Sequence, residues 1–333
     1  MRHAMLVFAA VAALFTASAR ATDATLLTLI PPDAKVVAGV RAAQAVSSPF
    51  GQFVLSHLGP GAQGLQSLIK ASGFDPTHDV SELLMATATP GTRGQGIISA
   101  RGVFDPAKID SLAKAHGCTS SSVMGVTTYK GCGGANNGAL ALPDVTTAIL
   151  GDTDSVNAAI SRYRSKSAPG DALQKQIQAA SVDASGAPND LWFLSLVPLS
   201  DLTPAPPADG AGSTTHQNLN AFQKVQQASG GVRFTAESVS VAGQLVMDSD
   251  KDAQAMADIL RFLASMVQSN SQKNPTVGAL ASVLNALNLT TNANVTQVAL
   301  TVPEAQVEQL LTTLQQQHHH ADSPAAPAPK PGN

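Results

Sequence analysis

The residues of this chain best placed to do chemistry are its paired aspartates. Asp152 and Asp154 stand together in Gly151-Asp-Thr-Asp, and Asp248, Asp250 and Asp252 follow Met247 in a similar run. Closely spaced carboxylates can bind calcium. An EF-hand loop starting at Asp248 would need glycine at position 253 and glutamate at 259, where the chain has Ala253 and Ile259. Each run instead lies where a β-prone stretch gives way to helical periodicity. There an aspartate caps the first turn and meets the positive end of the helix dipole. Ser67/Lys70 and Ser111/Lys114 have Ser-x-x-Lys spacing, but the Ser-Asp-Asn and Lys-Thr-Gly partners of penicillin-recognising enzymes are missing. His318, His319 and His320 could hold a transition metal only as an unshaped tract. His57, His78, His116 and His216 are solitary. No Gly-x-Ser-x-Gly or phosphate loop occurs, and the glycines at 91, 94 and 96 precede a strand, the wrong order for a dinucleotide site. The sequence therefore assigns no catalytic, cofactor-binding or metal residue, and no cofactor.

Cysteine chemistry is confined to Cys118 and Cys132. Two β-prone runs, Thr119 to Val123 and Val126 to Lys130, flank Met124-Gly125. Strands turning around Gly125 would pair residues whose numbers sum to 250, setting the two cysteines face to face. In an oxidising compartment such a pair closes as a disulfide. In the chain-entropy model a loop this short contributes roughly 3 kcal/mol. A redox pair is the alternative, without the Cys-x-x-Cys spacing that lowers a thiol pKa.

The elements that must carry these residues centre on Gly94 to Tyr163. Gly96 to Val103 reads as a strand. Asp105-Pro106 opens a helix with Ile109, Leu112 and Ala113 on one side, ended by Gly117. Val145 to Leu150 reads as a strand running into Asp152, and Val156, Ala159, Ile160 and Tyr163 mark the next helix. Part of the pattern recurs. Val239, Val241, Leu245 and Met247 alternate up to Asp248, and Met256, Ile259, Leu260 and Leu263 follow at helical spacing. Thr301-Val-Pro-Glu-Ala likewise echoes Val103-Phe-Asp-Pro-Ala. The expectation is an α+β protein of two related halves, 22–168 and 169–314, with antiparallel-rich sheet and helices packed on one face. Leu219, Phe222 and Val225 are read as a helix, Thr203 to Thr215 as a surface loop, and 315–333 as a disordered Pro/Ala/His-rich tail. Trp192, Tyr129 and Tyr163 are read as core.

Residues 1–21 have the form of a secretory signal: Arg2 and His3, an apolar run from Met5 to Phe15, and small residues before Thr22. The chain has 333 residues, 44% hydrophobic and 13% charged, with net charge −3. Cleavage before Thr22 takes Arg2 and Arg20 from the 20 basic residues and nothing from the 23 acidic ones, moving the balance from −3 to −5. This excludes a nucleic-acid surface, which needs clustered Lys and Arg. It also leaves no expected membrane span after cleavage.

Ile30-Pro-Pro-Asp-Ala-Lys-Val-Val-Ala-Gly-Val, Ser48-Pro-Phe-Gly-Gln, Gly73-Phe-Asp-Pro with Asp79-Val80, and Gly151-Asp-Thr-Asp resemble uncharacterised exported bacterial proteins. The likeness covers about residues 25–165. It implies export to the periplasm or beyond and an α+β fold, and carries no activity. Two functions follow as expectations: a non-catalytic periplasmic protein that binds an envelope partner or apolar ligand or serves the envelope structurally, or an exported hydrolase whose site forms only in three dimensions.

Overall fold

The structure, a computed structural model, describes residues 22–56, 74–91, 95–132, 137–202, 222–272 and 275–321. From the amino end the elements are α1 (Ala24–Leu29), β1 (Val36–Val40), α2 (Ala42–Ser47), α3 (Pro49–Ser56), α4 (Pro76–Asp79), β2 (Val80–Thr87) and β3 (Ile97–Gly102). Next come α5 (Pro106–Ala115), β4 (Thr119–Val123), β5 (Val126–Lys130), β6 (Gly138–Asp144), β7 (Thr147–Asp152), α6 (Thr153–Ser165) and α7 (Asp171–Ala180). The chain continues with β8 (Leu191–Ser195), β9 (Val225–Phe234), β10 (Ser238–Met247), α8 (Asp250–Ser269), α9 (Pro275–Leu284), β11 (Asn288–Asn292), β12 (Val295–Pro303) and α10 (Glu304–Ala321).

The twelve strands among the described residues join one antiparallel sheet in the order β11-β12-β10-β9-β8-β1-β2-β3-β7-β6-β5-β4. The first seven strands and the last five meet where β1 pairs β8, Val37 opposite Leu194 and Gly39 opposite Trp192. No break in the sheet marks the passage from one half of the chain to the other. Gly39 is required there: a Cβ at that position would stand 2.4 Å from the Trp192 ring. The two outer strands, β4 and β11, are each five residues long and rich in Ser, Thr and Asn.

The fold is α+β and antiparallel, as the sequence predicts, but its helices divide between the two faces instead of sharing one. Strand alternation explains why. On one face Val37, Leu84, Ile97, Ile149, Trp192 and Leu194 meet α1, α6 and α7 through Leu26, Leu29, Val156, Ile160 and Ile177. The opposite face receives α5 near its β5–β6 end, where Ala113 packs with Tyr129, Leu142 and Phe104. Beyond β8 that same face receives α8, where Met256 and Ala253 pack on Ala228 and Met247. Thr296 of β12 donates to the Ala253 carbonyl at 2.8 Å.

Several sequence expectations need correction. Val145 is a turn residue, 57% exposed, and the strand runs over Thr147–Asp152. Its hairpin partner β6 escaped notice because Gly138-Ala-Leu-Ala-Leu-Pro-Asp lacks β-branched residues. Phe222 is helical, but Val225 is fully buried at the start of β9. α10 extends through His318, His319 and His320 to Ala321, where a disordered tail was expected. Leu219, the loop 203–215, the signal segment 1–21, and Ser67, Lys70, His57 and His216 lie outside the described residues.

Candidate functional site: an apolar trough

The acidic runs serve the helices they begin. Asp152 caps α6, accepting from the Ser155 N–H at 3.0 Å and from the Gly96 N–H at 2.9 Å. One carboxylate thereby ties β3 to α6. Burial works against its charge, but these donors hold the carboxyl below the usual range. At the second junction the cap is Ser249, not Asp248. Ser249 Oγ accepts from the Asp252 N–H at 3.2 Å and donates back to the Asp252 carboxylate at 2.6 Å. Lys224 pairs with Asp252 as well. Asp154 and Asp250 sit in first turns, where the helix dipole favours them. Ser111 donates to the Ala107 carbonyl and Lys114 pairs with Asp110, so the Ser-x-x-Lys spacing joins no shared site. Among the described residues no three His, Cys, Asp or Glu side chains gather around one point.

Cys118 and Cys132 form a disulfide, with Cα atoms 4.3 Å apart. The hairpin register differs by one residue from the sequence expectation. Val123 pairs Val126 and Thr119 pairs Lys130 around the two-residue turn Met124-Gly125, both with positive φ. Cys132 therefore lies one step beyond direct opposition to Cys118. Gly131, at φ +72°, takes up the extra residue.

Sequence reasoning missed a polar cluster at the start of α1. The Glu82 carboxylate accepts the Asp23 N–H at 3.1 Å, Arg101 pairs Asp23 at 3.4 Å, and Arg101 donates to Thr146 and Thr147. Burial pushes the Glu82 carboxyl up to about 7. Asp144 receives Thr146, Thr147 and the hydroxyl of Tyr163. No short-range motif marks these residues; a β-bulge beside Glu82 and the strand register bring them together.

The sheet's second face holds an extended apolar row among the described residues. Leu140, Leu150, Ile98, Met85, Ala38 and Phe193 lie in register across β6, β7, β3, β2, β1 and β8. Five strand spacings make this row about 24 Å long. Among the described residues no helix covers its middle: Leu150 and Met85 are 50% exposed, Phe193 42% and Ile98 37%. At one end the row passes beneath α5 into a cavity of about 470 Å³. Ala100, Ala148 and Leu140 floor this cavity, and Ile109 and Leu112 roof it. Phe74 and Phe104, stacked with centroids 5.8 Å apart, and the disulfide close its sides. Among the described residues His116 is its only ionisable lining residue. A second hollow of about 640 Å³ shares Ile98 and Leu150 with the first and opens over Val36, Ala38 and Met85. Its polar side chains, Thr87, Gln95, Asn137 and Asp152, stand at or beside the strand ends. A site of this size and lining can sequester hydrocarbon, with hydrogen-bonding groups at its mouth.

The fold and the trough together define a wide antiparallel α+β sheet with an apolar strip exposed, among the described residues, between the helices of its second face. No known protein family matches the chain, and no curated protein does. Among solved structures it is similar to TP0453 in three crystal forms. Form I is 9% identical with a TM-score of 0.46, covering 86% of this chain and 96% of that one. Forms III and IV are 9% and 10% identical, each with a TM-score of 0.49, covering 86% of this chain and 97% and 96% of theirs. Likeness at this level carries no argument about function.

Proposed function

We propose that this chain is an exported, non-catalytic envelope protein that binds an apolar ligand in the trough. The observation that carries the reading is the continuous apolar row from Leu140 to Phe193, open at its centre and roofed by α5 at one end. Open apolar surface costs free energy in water, about 25 cal/mol per Å², and covering it rewards a ligand by the same amount. The signal-like residues 1–21 and the disulfide support placing the protein in an oxidising compartment. Among the described residues no helix is long and apolar enough to cross a membrane.

The hydrolase alternative would turn on Glu82, a carboxyl poised near neutrality. Glu82 instead holds the first amide of α1, and it lines neither part of the trough.

Titration with a fluorescent long-chain fatty acid tests the proposal. Native protein is expected to bind it saturably, and Ile98→Glu to weaken binding about tenfold, an effect of roughly 1.4 kcal/mol. Ser111→Ala, on the exposed side of α5, is the control. Absence of saturable binding, or equal binding by Ile98→Glu, refutes the reading.

A further inference from the structure

The roof of the cavity is a short helix with few anchors. α5 has ten residues, and only Ala113 of them is buried. Helices of this length are marginal without tertiary support. At the amino end Asp105 caps the helix, accepting from the Ala107 and Lys108 N–H groups, and the preceding Phe104 is buried and stacked on Phe74. Along its length burial, with the Asp110 carboxylate nearby, raises the pKa of the Tyr129 hydroxyl beneath the helix. Toward the sheet, Ile109 packs at the edge of the Phe104–Tyr129–Leu142 cluster, and with Leu112 it lines the cavity. At the carboxyl end the chain turns at Gly117 and is held through Cys118 to Cys132, beside β5.

We infer that the Cys118–Cys132 bond latches this cavity, an inference that rests on the trough being the binding site. With the bond made, α5 is clamped at both ends and the cavity keeps its roof. With it broken, the carboxyl-terminal half of α5 lifts from the sheet and the roofed end of the apolar row opens to water. Both cysteines are partly exposed, and Gly117, Thr119 and Gly131 around them are exposed, so a small dithiol can reach the sulfurs. One thiolate of the dithiol attacks either sulfur to give a mixed disulfide. Its second thiol then displaces the cysteine, so two electrons and two protons pass to Cys118 and Cys132 and the dithiol becomes a disulfide.

Amide hydrogen exchange on the full chain, oxidised, reduced with dithiothreitol, and as Cys118→Ser/Cys132→Ser, tests the latch. In the reduced and double-serine forms the amides of residues 109–117 are expected to exchange about tenfold or more faster, while β3 and β7 keep their protection. The fluorescent fatty acid is expected to bind these forms about tenfold more weakly. Unchanged exchange in 109–117 overturns the inference. So does loss of protection throughout β3 and β7, which would make the bond a general staple. If the oxidised protein binds no fatty acid, the ligand reading fails while the exchange result still decides whether the helix is latched.

Discussion

Glu82 shows how one side chain can set the pH response of a whole fold. Its carboxyl is raised from 4.5 to about 7 by burial, so the folded protein holds a proton that the unfolded chain releases. Its contribution is greatest below pH 4.5 and declines as pH rises through about 7. Glu82→Gln removes that decline while leaving an oxygen to accept the Asp23 N–H. Urea denaturation at pH 5 and pH 8 should show the variant gaining on the native protein at pH 8; an equal difference at both values would contradict the assignment. Gly39 gives a second test at this scale. Gly39→Ala forces a Cβ into the Trp192 ring and is expected to cost about 1–3 kcal/mol. Gly138→Ala meets nothing within 4 Å and serves as its control.

At the scale of elements, the strand-to-helix junctions separate what the sequence made legible from what it did not. Asp105-Pro106 and Asp152-Thr153 announce their helices, because cap preference depends on the residue itself and its next two or three neighbours. The run at 248–252 reads as the same device, yet Ser249 makes the bond. Adjacent polar residues compete for one capping geometry, and local pattern cannot say which wins. Ser249→Ala is therefore expected to cost about 1 kcal/mol and Asp248→Ala close to nothing, as read from urea midpoints. The β4–β5 hairpin was legible to its end residues, but its register turned on a two-residue turn, and Gly131 restored the cysteine pairing that a different register had predicted. The trough was not legible. Its row joins one residue from each of six strands, so no window of sequence contains it. Glu82 and Arg101 were missed for the same reason.

For the molecule as a whole, the pairing of β1 with β8 decides cooperativity. The strands of both halves share one hydrogen-bonded sheet, and Trp192 of β8 lies buried at the seam with Val37 and Leu84. Unfolding of the oxidised protein is expected to be a single transition, with Trp192 fluorescence and far-ultraviolet circular dichroism giving the same urea midpoint. Two separated midpoints would mean that the halves melt independently.

The two rims of the sheet carry a last consequence. Among the described residues the sheet ends at β4 on one side and β11 on the other, the edges along which another chain could pair strand to strand. Each rim is five residues long and wet with hydroxyls and amides, a poor template for fibrous growth. Greasy contact and backbone templating are thus kept apart: the molecule can leave its middle sticky without seeding its own aggregation from the sides.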